Sequence, residues 1–147
     1  MKNALGHVAY LLEGIKDLGS LKPHHLRFST PQNVFEDDYI FGAVSNSTSL
    51  AGVLTLNPKV VDMNDGLLEL LLIKSPKSAG ELNECIRALT TQDYASPMIS
   101  FCSTDRVHIE APEDMNWTLD GEFEPGHAEV DVKNIKDALH LMMKLKN

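Results

Sequence analysis

The sequence predicts a mainly β fold: a two-sheet β-sandwich, or open barrel, with an N-terminal helix and one or two further short helices, in one domain spanning residues 1–147. Short apolar stretches of period 2 recur along most of the chain, each closed by Gly, Pro or Asx residues, the pattern of strands separated by turns. Helical spacing appears only at the two ends and once between them, so the helices are additions to a β core. The length of 147 residues and 43% apolar content suit one soluble core, and no repeat, low-complexity tract or linker divides it.

Residues 2–18 place Leu5, Val8, Leu11, Leu12 and Ile15 at helical spacing, with Lys2, Glu13, Lys16 and Asp17 opposite and Gly19 as a stop. His25-Leu26-Arg27-Phe28-Ser29 alternates as a strand; Gln32 to Phe35 offers a short partner, and Tyr39-Ile40-Phe41 through Val44 a further strand. Pro23 and Pro31 confine these pieces to strands with loops between them. Glu36-Asp37-Asp38 reads as a solvated acidic edge that discourages pairing. Ser45 to Gly52, small and polar, reads as a loop.

Asn57-Pro58 through Asp65-Gly66 forms a turn region feeding Leu67-Leu68-Glu69-Leu70-Leu71-Leu72-Ile73, whose nearly continuous apolar character marks a central strand buried on both faces. Ser78 opens a helix to about Thr90, with Leu82, Ile86 and Leu89 on one face. Strands follow at Met98 to Ser103 and Arg106 to Ala111, with a turn at Pro112-Glu113-Asp114. In the next strand Met115, Trp117 and Leu119 face a core while Asn116, Thr118 and Asp120 do not. Glu122 to Pro125 is the next turn, and Ala128 to Val132 alternates cleanly. Ile135, Leu139, Met142 and Leu145 fall at helical spacing, with a short strand as the open alternative.

A formal charge of −8 without clustered Lys or Arg excludes nucleic acid as a partner and makes an anionic membrane surface a poor one for this chain by itself. The first residues lack the apolar region of a signal peptide and no run approaches a membrane span, so a cytoplasmic protein is expected. Cys85 and Cys102 lack metal-ligand spacing and read as reduced, packed thiols. The sequons at Asn46 and Asn116 carry no meaning without secretion.

Two stretches invite chemistry. Asp62-Met63-Asn64-Asp65-Gly66 has the carboxylates and turn carbonyls that hard cations take, but it is not an EF-hand, since Gly66 comes one position early and Ile73 stands where the bidentate acid belongs. On spacing alone an Asx turn before a strand is the simpler account of it. Asp120-Gly121-Glu122 sets two carboxylates at a strand end, and Asp-Gly is also a common hairpin turn. The histidines lack ligand spacing, no nucleophile elbow occurs around any serine, and no Gly-rich phosphate loop is present.

Three segments together resemble the C-terminal domain of the diacylglycerol kinase-like lipid kinases, the superfamily of bacterial diacylglycerol kinases and of sphingosine and ceramide kinases. They are Leu5-Gly6-His7-Val8-Ala9-Tyr10-Leu11-Leu12-Glu13-Gly14-Ile15, then Asn57-Pro58 through Asp65-Gly66-Leu67-Leu68-Glu69-Leu70, and Leu119-Asp120-Gly121-Glu122, in that order. The resemblance implies a β-sandwich paired with an N-terminal nucleotide-binding domain whose Gly-Gly-Asp-Gly-Thr motif is absent here, so the chain alone is expected to be inactive. It implies an ATP- and Mg²⁺-dependent transfer of the γ-phosphate to a diacylglycerol-like lipid alcohol, with Asp120 as general base and Glu122 as a second carboxylate near the nucleotide-bound Mg²⁺. It also implies a Mg²⁺ held by the Asp65 side chain and the main chains of Asp62 and Leu67. A transient membrane contact of the full-length protein and a homodimer are compatible with it. The chain departs from the family after Asn46, where Ser49-Leu50-Ala51-Gly52-Val53 keeps one glycine of a usually Gly-rich stretch. The competing function is a non-catalytic sandwich that binds a ligand or partner, with Asp120-Gly121 as a turn only.

Overall fold

The structure is a computed structural model that describes residues 20–50 and 54–138. The helix expected over residues 2–18 and most of the segment from Ile135 to Leu145 lie outside the described residues. The strands are β1 (His24–Ser29), β2 (Val34–Ser45), β3 (Ser49–Leu50), β4 (Leu54–Thr55), β5 (Leu68–Lys74), β6 (Ile99–Thr104), β7 (Arg106–Glu110), β8 (Trp117–Leu119), β9 (Glu122–Glu124) and β10 (Glu129–Lys133), with helix α1 (Ala79–Thr91) between β5 and β6. The mainly β expectation holds. A six-stranded antiparallel sheet of order β10-β7-β1-β2-β5-β6 forms the body, and the ribbons β3-β4 and β8-β9 are separate two-stranded sheets.

The central strand is where its composition places it. From Glu69 to Ile73 every residue of β5 is buried, and the pleat sends its side chains alternately to two cores. On one face Leu71 and Ile73 pack with Leu50, Leu54 and Leu56 and with Cys85 and Ala88 of α1. On the other, Leu70 and Leu72 pack with Leu26, Phe28, Tyr39, Val107 and Ile109, and Met115 and Trp117 lie against this cluster. The sheet is thus covered from both sides.

Two expected strands prove to be one. The short strand at Gln32 to Phe35 and the stretch from Tyr39 to Val44 belong to the 12-residue β2, which pairs with β1 through its first half and with β5 through its second. The register shifts between Tyr39 and Phe41, and the extra residue reverses the alternation. Phe35 and Tyr39 face the second core, whereas Phe41 and Ala43 face the first. The run Glu36-Asp37-Asp38 is therefore not a solvated edge but sits inside β2. There Asp37 meets Lys74 at 3.1 Å and Asp38 meets His25 at 2.9 Å.

Helix α1 follows its expected bounds closely, with Ser78 as N-cap accepting from the Glu81 backbone N–H at 3.1 Å. Its buried seam is Cys85 and Ala88, small residues that let the helix lie close on the sheet, while Leu82, Ile86 and Leu89 flank them half-buried. Both cysteines are free thiols, Cys85 buried and Cys102 half-buried. Ser45 to Gly52 is not wholly a loop, since Leu50 enters β3 and is 2% exposed. No helix among the described residues is long and apolar enough to cross a membrane.

Candidate functional site

Asp120 and Gly121 form the two-residue corner between β8 and β9, with φ of 50° and 89°. Positive φ at both central residues is the backbone of a type I′ hairpin, whose twist matches that of the paired strands. Leu119 and Glu122 close it as a cross-strand pair. The expected turn from Glu122 to Pro125 is corrected accordingly: Glu122 to Glu124 is strand β9, because the tight corner leaves the chain in register to pair back at once. A second expectation is corrected here too. Leu119 does not face a core but is 61% exposed, and Phe123, on the other face of the ribbon, is 69% exposed, because the ribbon outruns the core that Trp117 reaches.

The Asp120 and Glu122 side chains stand free at this tip, with no hydrogen-bond or ion-pair partner among the described residues. Nothing lies within 4 Å of where a Gly121 Cβ would be, so space does not demand glycine there, but its φ does. The turn offers two carboxylates and, among the described residues, no third metal-ligating side chain beside them.

The second candidate, the loop before β5, is a chain of Asx turns. Asp62 Oδ1 accepts from the Asn64 N–H at 2.9 Å, Asp65 Oδ1 accepts from the Leu67 N–H at 2.8 Å, and the Asp62 carbonyl accepts from the Asp65 N–H at 3.3 Å. Gly66 takes φ of 85°, and the Lys136 stem lies over it, 3.0 Å from where a Cβ would stand. Asn134 donates from Nδ2 to the Leu67 carbonyl at 3.0 Å, and Asn46 donates to the Met63 carbonyl at 3.3 Å. The segments after β2 and β10 thus hold the loop in place.

No group of three or more His, Cys, Asp or Glu side chains with metal-holding geometry occurs among the described residues. The set expected from the family, one Asp65 carboxylate with the Asp62 and Leu67 carbonyls, does not require such a group. One Asp65 oxygen and a second lone pair on each carbonyl stay available, and these hard oxygens suit Mg²⁺.

A residue given no role from sequence stands next to this loop. Glu69, on β5, is 1% exposed and neither carboxylate oxygen has a hydrogen-bond partner. Burial raises its pKa, and the Asp65 and Asp62 carboxylates push in the same direction. Its in-register neighbours Ser45 and Ser103 do not donate to it. The available signal was the single charge inside an apolar run. The Trp117 indole N–H is the other buried group without a partner among the described residues. The turn and the loop share no hydrogen bond or ion pair among those residues.

Comparison with known proteins bears on both. Residues 1–143 match the family described as "YegS C-terminal NAD kinase beta sandwich-like domain". The chain is 27% identical over 143 residues to a diacylglycerol kinase of Bacillus subtilis, covering 97% of this chain and 46% of that protein. It is 31% identical over 122 residues to a "Probable lipid kinase YegS-like" of Pectobacterium atrosepticum, covering 83% and 39%. The fold superposes on a crystal structure of a diacylglycerol kinase from Bacillus anthracis with a TM-score of 0.61 at 23% identity, covering 92% of this chain and 45% of that one. The chain spans less than half the length of these relatives.

Proposed function

Since the chain belongs to the YegS C-terminal, NAD kinase β-sandwich-like domain family, we propose that it is the substrate-side half of a lipid kinase, with Asp120 as the general base. The other half is a nucleotide-binding domain that carries most of the ATP site, and the acceptor is the hydroxyl of diacylglycerol or a related lipid. The observation that carries this reading is the corner itself. The left-handed turn fixes the backbone of Asp120 at the free end of a ribbon, and its unpartnered carboxylate is kept available to a substrate.

The chemistry asked of this chain is small. Phosphoryl transfer depends mainly on positioning and charge stabilisation, and the nucleotide with its Mg²⁺ would supply the phosphoryl group and neutralise its oxygens. An Asp120 carboxylate oxygen accepts the proton of the lipid hydroxyl as the hydroxyl oxygen bonds to the γ-phosphorus and the bond from that phosphorus to the departing nucleoside diphosphate breaks. Glu122, across the hairpin from Leu119, adds negative charge beside the base and could meet the nucleotide-bound cation. Asp65, with the Asp62 and Leu67 carbonyls, would hold a separate, structural Mg²⁺ that stiffens the entry to β5.

The test is Asp120→Asn in the full-length protein. Loss of lipid phosphorylation by about 10²–10⁴-fold is expected, with an unchanged circular dichroism spectrum. Near-wild-type transfer by that variant sinks the assignment of the base.

A further inference from the structure

Resting on the reading of Asp62 to Leu67 as a cation loop, we propose that Glu69 is a second acidic partner of that cation, reaching it directly or through one water. An interior carboxylate without a partner is costly, and buried polar groups in native proteins are almost always matched. Both oxygens of Glu69 are orphaned among the described residues although the residue is 1% exposed.

Three kinds of partner would relieve it. Serine hydroxyls flank it in register on both sides, at Ser45 and Ser103, and neither donates. A basic side chain would serve, but Lys136, which lies against Gly66, makes no ion pair with Glu69. Neither kind of partner is present among the described residues, and a divalent cation is the third. Asp65 and Glu69 together carry two negative charges, which one Mg²⁺ balances, whereas Asp65 alone leaves the ion half compensated. Asp62 and Asp65 each spend one carboxylate oxygen on a backbone N–H, whereas Glu69 alone of the three has both oxygens unpartnered and is buried.

The experiment is calorimetric titration of the whole chain with Mg²⁺, and thermal melting in chelator or excess Mg²⁺, for wild type, Asp65→Asn and Glu69→Gln. The wild type is expected to bind, Asp65→Asn to lose binding, and Glu69→Gln to bind about 10- to 100-fold more weakly with a smaller Mg²⁺-induced rise in melting temperature. In chelator Glu69→Gln should melt at or above the wild type, because the orphaned acid is gone. A lower midpoint there would show that the carboxylate serves the metal-free fold and overturns the proposal. Wild-type affinity in Glu69→Gln, with binding lost in Asp65→Asn, overturns it while leaving the cation loop intact. Absence of binding by the wild type overturns the loop and the proposal together. Should the amide variant not fold, Glu69→Met keeps the length without the charge, and undiminished Mg²⁺ affinity in it is equally fatal.

Discussion

Surface charge in this protein is arranged in pairs with opposite responses to pH. Arg87 donates to both Glu84 and Asp93, and Ser96 adds a hydroxyl to Glu84 at 2.7 Å. Arg87, then Ser96, pull the Glu84 carboxyl down to about 2 from an ordinary 4.5. A depressed carboxylate stabilises the fold above its unfolded pKa, and that contribution disappears as pH falls toward the folded value. Glu84→Gln should therefore lower the melting temperature slightly near neutral pH and make no difference near pH 2, as thermal scans across that range would show. The effect is small because the pair is solvent-exposed. His25 beside Asp38 and His108 beside Asp131 behave oppositely, since their carboxylate partners raise the imidazole pKa. Their contribution is complete below the unfolded value of 6.5 and fades as pH rises through the folded one. At this scale the Asp-Gly corner could be read from two letters. The isolation of Glu69 could not, because it arises from strands β2 and β6, which pair beside it from elsewhere in the chain.

Elements were legible where one signal dominated. β5 announced itself because a strand covered on both faces must be apolar throughout, and α1 because Ser78 caps it. β2 was split in two at Glu36-Asp37-Asp38, ahead of the bulge near Ile40, which falls within the second of the two expected strands. Its acidic residues then resembled loop, since the cations that pair with them lie on β1 and at the end of β5. Leu72 shows what holds β2 to β5: it is fully buried, and its Cδ2 would lie 3.3 Å from a Cβ at Gly42, so the glycine makes room for it. Leu72→Ala should cost about 2–5 kcal/mol in urea unfolding with an unchanged m-value, the range for cavity-forming truncations in tight cores. A loss under about 1 kcal/mol would mean that the neighbouring side chains collapse into the space.

At the scale of the molecule, the exposed apolar residues gather meaning from their place. Leu119 and Phe123 flank the candidate base on a ribbon that projects beyond the core, in a chain less than half as long as its relatives. If this tip faces the lipid or the other half of the kinase, Phe123→Ser should leave the stability of the isolated chain within about 0.5 kcal/mol of wild type. In the full-length protein the same change should raise the KM for lipid roughly tenfold, and an unaltered KM would remove the tip from the substrate path. The strand order has a further consequence, for how the molecule forms. Arg27 of β1 and Glu110 of β7 meet across 83 positions of sequence, whereas β5 and β6 are separated only by α1 and short connections. During synthesis the β1-β2 hairpin and its links to β5 and β6 can assemble early, but the outer side of β1 waits for β7 to emerge. Long-range pairing of this kind slows folding and leaves an open strand edge beside Leu26 and Phe28, the place where newly made chains would be most prone to aggregate or to engage a chaperone.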